Sequence, residues 1–206
     1  TSSISSGNPT WATATATLPE ARTKFGSAVW NNRLYVVGGL NATPAVTNTV
    51  LVSGSQSAGG NMSGGSWTTS STSFDVARRG HAVTIYANNL YLFGGFDGTN
   101  FLSDVQFASI GYKTGTIGQA GTTVTGSGTT FTAAMVGSVL QYPDGSTATI
   151  TAYSSATSIT VSANKTVASS TLFTVLDGSV GSWTFTTSLP DALSDARAVS
   201  ANGYIY

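Results

Sequence analysis

Apolar and polar positions change along this chain in short steps. Phe25 to Trp30 and His81 to Tyr86 are brief, aromatic-rich and β-branched, the composition of strands. Leu34 to Val37 and Leu90 to Phe93 are unbroken apolar runs, the pattern of strands covered on both faces. Each is expected to end in a glycine pair, Gly38-Gly39 or Gly94-Gly95, where the backbone turns or approaches a neighbour closely. Asn31-Asn32 and Asn88-Asn89 tolerate left-handed backbone and predict hairpin turns. Further strands are expected at Asn48 to Val52 and Asp104 to Ile110. A tryptophan strand closes each unit, at Ser66 to Ser70 and Trp183 to Thr187. Four antiparallel strands joined as a meander make one blade of a β-propeller.

The pattern repeats. Displacing the sequence by 56 residues lays Trp11 on Trp67, Arg22 on Arg78, Gly38-Gly39 on Gly94-Gly95 and Asn48 on Asp104, without a gap. A third copy opens at Trp183, where Leu189-Pro190-Asp191-Ala192 echoes Leu18-Pro19-Glu20-Ala21 and Leu193 replaces the arginine. The recurring arginine, the Leu-Tyr-x-x-Gly-Gly strand and the spaced tryptophans resemble the kelch motif. The run Asp177-Gly178-Ser179-Val180-Gly181-Ser182-Trp183 is similar to a bacterial branch of kelch proteins of the cell surface. One departure is that Leu51 and Phe107 stand where kelch repeats usually carry a tyrosine, a change of packing between large apolar groups.

Trp67 and Trp183 lie 116 residues apart, so the second repeat carries extra chain between its third and fourth strands. Runs at Thr122–Thr125, Val139–Tyr142, Thr147–Tyr153, Ser158–Ser162 and Leu172–Leu176 predict about five strands there, with turns at Gly126-Ser127-Gly128 and Pro143-Asp144-Gly145. A small barrel or sandwich would hide the edges of such strands. Val124 to Phe131 resembles small β-modules of phage and cell-surface proteins. The fold expected is therefore all-β: a partial kelch-type propeller of four-stranded antiparallel blades over 1–110 and 177–206, with an inserted small β-domain at 111–176. Because the third repeat halts at Tyr206, the parent protein is expected to continue through further repeats.

Charge is scarce, at 8% of residues, and balances to a net of zero. That disfavours nucleic acid, which needs a basic stripe, and anionic membrane surfaces, which need clustered lysine and arginine. No apolar run nears the roughly 18 residues that span a bilayer. Low charge with abundant Ser, Thr and Gly resembles bacterial surface and appendage proteins, so an extracellular or cell-surface location is expected. Cysteine is absent, which removes disulfides and thiolate ligands.

Chemistry-bearing residues are few. His81 is the only histidine, too little for a multi-histidine metal site, and it stands where kelch repeats often carry histidine for packing. Asp97-Gly98, Asp144-Gly145 and Asp177-Gly178 read as turns, since none gathers the carboxylates calcium requires. Asn41, Asn61 and Asn164 open glycosylation sequons of the kind expected by chance in so Ser/Thr-rich a chain. The copper-oxidase branch of kelch propellers needs a Cys–Tyr cofactor and histidine ligands that this chain cannot supply, so no cofactor, metal or catalytic residue is expected.

Trp11, Arg22, Gly38, Gly39, Trp67, Arg78, Gly94, Gly95 and Trp183 are expected to be architectural. Recognition is expected from the loops Leu40–Thr47, Ser70–Val76 and Phe96–Ser103, gathered on one rim, with Asn41, Asn48, Asp75, Phe96, Asp97, Asn100 and Phe101 as candidates. The insertion would leave from the opposite rim. The function implied is non-catalytic recognition or structure at a cell surface, with a protein or glycan ligand or other subunits of a surface assembly as partner. The alternative is a piece of a secreted kelch enzyme whose catalytic residues lie outside this segment.

Overall fold

A computed structural model describes residues 17–54 and 66–206. Trp11 and Asn61 lie outside the described residues. The chain divides into two compact units, one of residues up to Ser109 together with Val180–Tyr206, the other Ile110–Ser179.

The first unit is a partial propeller built from antiparallel sheets. Strands β1 (Gly26–Trp30), β2 (Arg33–Leu40), β3 (Val46–Ser53) and β4 (Trp67–Thr69) form a four-stranded meander in sequence order. The second blade runs β5 (Ala82–Tyr86), β6 (Asn89–Phe96) and β7 (Phe101–Tyr112), and takes its fourth strand from β12 (Thr174–Thr186). The third copy of the repeat supplies the short pair β13 (Ser200–Ala201) and β14 (Tyr204–Ile205), tied to the second blade where the Ser200 hydroxyl donates to the Ile85 carbonyl at 2.8 Å. The core of this unit is the inward face of the apolar runs: Tyr35, Val37, Val50, Leu90 and Leu92 are all fully buried.

Two details differ from the sequence expectation. The second hairpin turns at Ala87-Asn88, not Asn88-Asn89, because Tyr86 pairs with Asn89 and leaves a two-residue loop. Ala87 and Asn88 take φ of 47° and 58°, close to 45° and 57° at Asn31 and Asn32, so the repeat register overrides the preference of asparagine over alanine. The central strands also run through their glycine pairs instead of ending there, to Leu40 and Phe96, with a register shift at each pair that marks a bulge.

The second unit contains β8 (Thr116–Ser127), a 3-10 turn at Ala133–Met135, β9 (Val139–Gln141), β10 (Thr147–Ser155), β11 (Ser158–Thr171) and the beginning of β12. Its strand order is β12-β9-β10-β11-β8. Ile117, Val124, Phe131, Leu140, Ile150, Ile159, Phe173 and Val175 form its own buried core. No helix among the described residues is long and apolar enough to cross a membrane.

Candidate recognition site

The recurring arginines organise the region where the loops meet. Arg78 is fully buried, and its Nη1 donates to the Gly94 carbonyl at 2.9 Å. Both of its terminal nitrogens grip Asp104, at 2.7 and 2.9 Å, and its Nε donates to the Val76 carbonyl. Arg22 repeats the contact to the glycine carbonyl, at Gly38, 3.0 Å away. Its carboxylate partner comes from elsewhere: Glu20 receives two of its N–H groups, and the hydroxyls of Thr47 and Thr49 accept from the others. Asn48, at the repeat position of Asp104, instead donates its Nδ2 to the Phe74 carbonyl at 2.9 Å. Burial works to raise the pKa of Asp104, but hydrogen bonds from Arg78 and Gln106 and the Arg78 charge outweigh it and hold the carboxyl below its usual range.

Consecutive repeats are joined by main-chain atoms. The Gly39 N–H donates to the Arg78 carbonyl at 2.9 Å, and one repeat on the Gly95 N–H donates to Leu193 at 2.6 Å. Leu193 has lost the arginine side chain and kept the backbone role. A second series links Lys24, Gly80 and Asp195, which take φ of 52°, 62° and 59°. The Gly80 N–H donates to Lys24 and the Asp195 N–H to Gly80, at 2.9 and 2.6 Å. The pair Gly38 and Gly94 is required by space: a Cβ on Gly38 would stand 2.8 Å from the His81 ring and 2.9 Å from the Arg78 carbonyl, and one on Gly94 2.7 Å from the Leu193 carbonyl.

His81 fills the gap that Gly26 and Gly38 leave, with Phe74 at 6.0 Å between ring centroids. Both ring nitrogens are buried, and neither meets a hydrogen-bond partner among the described residues. Burial first, and the nearby Arg78 charge second, lower its pKa to about 4, against an opposing contribution from the Val37 backbone. The imidazole is neutral at physiological pH and serves packing.

The segment between β4 and β5 is anchored to strand ends next to two of the expected loops. The Arg78 N–H donates to the Thr47 carbonyl, Asn48 donates to the Phe74 carbonyl, and Arg79 pairs with Phe96, so the β4–β5 segment touches the start of β3 and the end of β6. The chain leaves this unit from the other end of β7, where Ser109 pairs with Asn89, away from the Phe96–Phe101 end. Within the loops, Asn41 and Asp97 turn inward on their own backbones. Asn41 Oδ1 accepts from the N–H groups of Thr43 and Ala45 and from the Thr43 hydroxyl. Asp97 Oδ1 accepts from Asn100 and Thr99 N–H, both at 2.7 Å, and these bonds lower its pKa. They shape the surface more than they offer it.

What the loops present outward is Phe101, 64% exposed and 5.1 Å from the Phe96 ring, with Asn100 exposed beside it. Arg79 lies 4.9 Å over the Phe96 ring. Asp75 lies apart from this pair, beside a groove of about 310 Å³ walled by Thr72, Ser73, Gln106, Ser182, Trp183 and Phe185. Trp183, expected to be architectural, packs edge-on against Phe74 at 5.5 Å and also forms a wall of this groove, while Trp67 is half-buried in β4. Gln106 and Phe185 were absent from the sequence candidates. The Trp183-Thr184-Phe185 alternation already set Phe185 on the face of Trp183, but no sequence signal marked Gln106. Leu51 is buried, and Phe107 stacks on Tyr91 at 5.6 Å, so the positions departing from the kelch tyrosine are filled by packing.

Residues 77–106 match the protein family described as the Kelch motif, a span that includes Arg78, Gly94, Gly95 and Asp104. No curated protein matches the chain.

Proposed function

We propose that this chain is part of a non-catalytic recognition module at the outer surface of a cell, binding a protein or a glycan through the loops of its propeller blades. The kelch motif marks an interaction module. The observation that supports the finer reading is the anchoring of the β4–β5 segment to the start of β3 and the end of β6 by backbone and asparagine hydrogen bonds, with the aromatic tip of Phe101 left to solvent. A large exposed aromatic on a preorganised loop gives contact area at low entropic cost. Scarce charge and abundant hydroxyl side chains accord with an extracellular setting.

The test has two arms. Antibody labelling of intact and permeabilised cells should give equal signal, and labelling that requires permeabilisation removes the surface assignment. The purified chain, applied to arrays of glycans and of extracellular proteins, should retain a ligand whose binding drops at least tenfold with the double variant Asn100→Ala/Phe101→Ala. Binding indifferent to that variant removes the loop assignment.

A further inference from the structure

We propose that the groove between Asp75 and the Trp183–Phe185 face is a saccharide subsite that takes one neutral pyranose ring. This rests on the recognition reading above and names its ligand class. A pyranose presents a face of C–H groups and a rim of hydroxyls, so its receptor needs exposed aromatic surface and fixed polar groups at the ring edge. Both are present. Trp183 and Phe185 alternate along β12 and share a face; Phe185 is 54% exposed, and the fully buried Phe74 holds the indole from behind. Across the groove the Asp75 carboxylate makes no hydrogen bond or ion pair among the described residues, yet its backbone is anchored. Gln106 Oε1 accepts the Asp75 N–H at 3.1 Å while its Nε2 donates to Asp104 at 2.8 Å, and Asp104 is clamped by Arg78.

That relay from the buried arginine fixes the segment bearing a carboxylate whose two oxygens remain available. A carboxylate of this kind accepts from two neighbouring hydroxyls at once, the arrangement vicinal sugar hydroxyls present. The side chains of Ser73 and Ser182 add groups that both donate and accept. A peptide cation would use the same aromatic wall and carboxylate. The groove, however, carries one charge among several hydroxyls, which matches a polyhydroxylated neutral ligand better than a guanidinium or ammonium. Its volume of about 310 Å³ is at the small end of ligand sites and suits a single ring.

The indole N–H of Trp183 has no hydrogen-bond partner among the described residues, so its NMR signal reports on the groove. The full chain is titrated into the tens of millimolar with methyl β-galactopyranoside, methyl β-glucopyranoside and methyl α-mannopyranoside, and the Trp183 signal is assigned through Trp183→Phe. At least one glycoside should shift it saturably. Asp75→Asn and Phe185→Ala should each weaken that binding at least tenfold while the unfolding midpoint stays put, since both side chains are exposed. N-acetylarginine methylamide is titrated in parallel. A shift with this cation and with no glycoside overturns the sugar assignment and leaves the surface a recognition surface of another kind. Silence with every probe, or a glycoside shift untouched by Asp75→Asn, overturns the subsite; the loop-tip variants above then decide the broader reading by themselves.

Discussion

Arg78 holds Asp104 with two parallel hydrogen bonds, of 2.7 and 2.9 Å, and the guanidinium making them is fully buried. The equivalent pair one repeat earlier, Arg22 and Asn48, carries no ion pair; Glu20 provides the carboxylate there, at 3.0 Å. Two repeats with the same arginine and the same glycine-carbonyl contact thus neutralise it from opposite ends of the motif.

This difference makes a rescue experiment possible. Asp104→Asn removes the carboxylate that grips a buried cation, because Val76 stands in the second repeat where Glu20 serves Arg22 in the first. The expected cost is about 3 kcal/mol in denaturant unfolding. Adding Val76→Glu transplants the Glu20 arrangement and should restore a third or more of that loss. A double variant no more stable than Asp104→Asn would mean that the two repeats do not share one geometry.

Gly38→Ala tests the tight joint between repeats. The new methyl would meet the His81 ring, Phe74 and the Arg78 carbonyl at 2.8–2.9 Å, on a backbone with φ of 55°. A loss of about 2–4 kcal/mol is expected, from overpacking added to left-handed strain. Gly98→Ala, where nothing lies within 4 Å, should cost only the strain of its φ of 106°. Equal losses at the two sites would show that contact is not what requires glycine at position 38.

His81 predicts how stability responds to acid. Its pKa falls from 6.5 to about 4 on folding, so between those values the unfolded chain binds the proton and the folded chain does not. Stability from this group is complete above about pH 6.5 and is lost as pH falls toward 4, at most about 3 kcal/mol in total. Urea unfolding across that window should show the decline, and His81→Leu should flatten it. An unchanged slope in the variant would assign the acid sensitivity to the carboxylates.

The alternation of short apolar runs, and a repeat that superposed Arg22 on Arg78 and one glycine pair on the other, made the blade strands legible from sequence. Position 87 was not, because alanine alone gives no sign of left-handed backbone; only the register of its neighbours imposes it. Strands β8 and β11 reach well past the runs that announced them. Residues 116–121 and 163–171 show little apolar alternation, and cross-strand pairs such as Thr166 with Ala120 and Val167 with Gln119 extend the ladder there. The groove was half visible. Asp75 stood out as a loop carboxylate, whereas Gln106 is placed by hydrogen bonds to residues near and far that no linear pattern encodes. The source of each arginine's carboxylate was equally hidden, since Glu20 and Asp104 occupy different places in the repeat.

Lys24, Gly80 and Asp195 meet the same demand with a cation, no side chain and an anion, because the joint they form uses peptide groups alone. A connector made of backbone is indifferent to the charge written over it, so evolution can redraw the electrostatic pattern along this line without loosening the blades. The freedom is shared between neighbours: a Cβ at Gly80 would stand 2.6 Å from the Ser194 hydroxyl and 2.9 Å from the Asp195 carboxylate. A bare residue in one repeat makes room for a functional one in the next. Diversification at this joint should therefore proceed in adjacent pairs, with bulk gained on one side matched by bulk given up on the other.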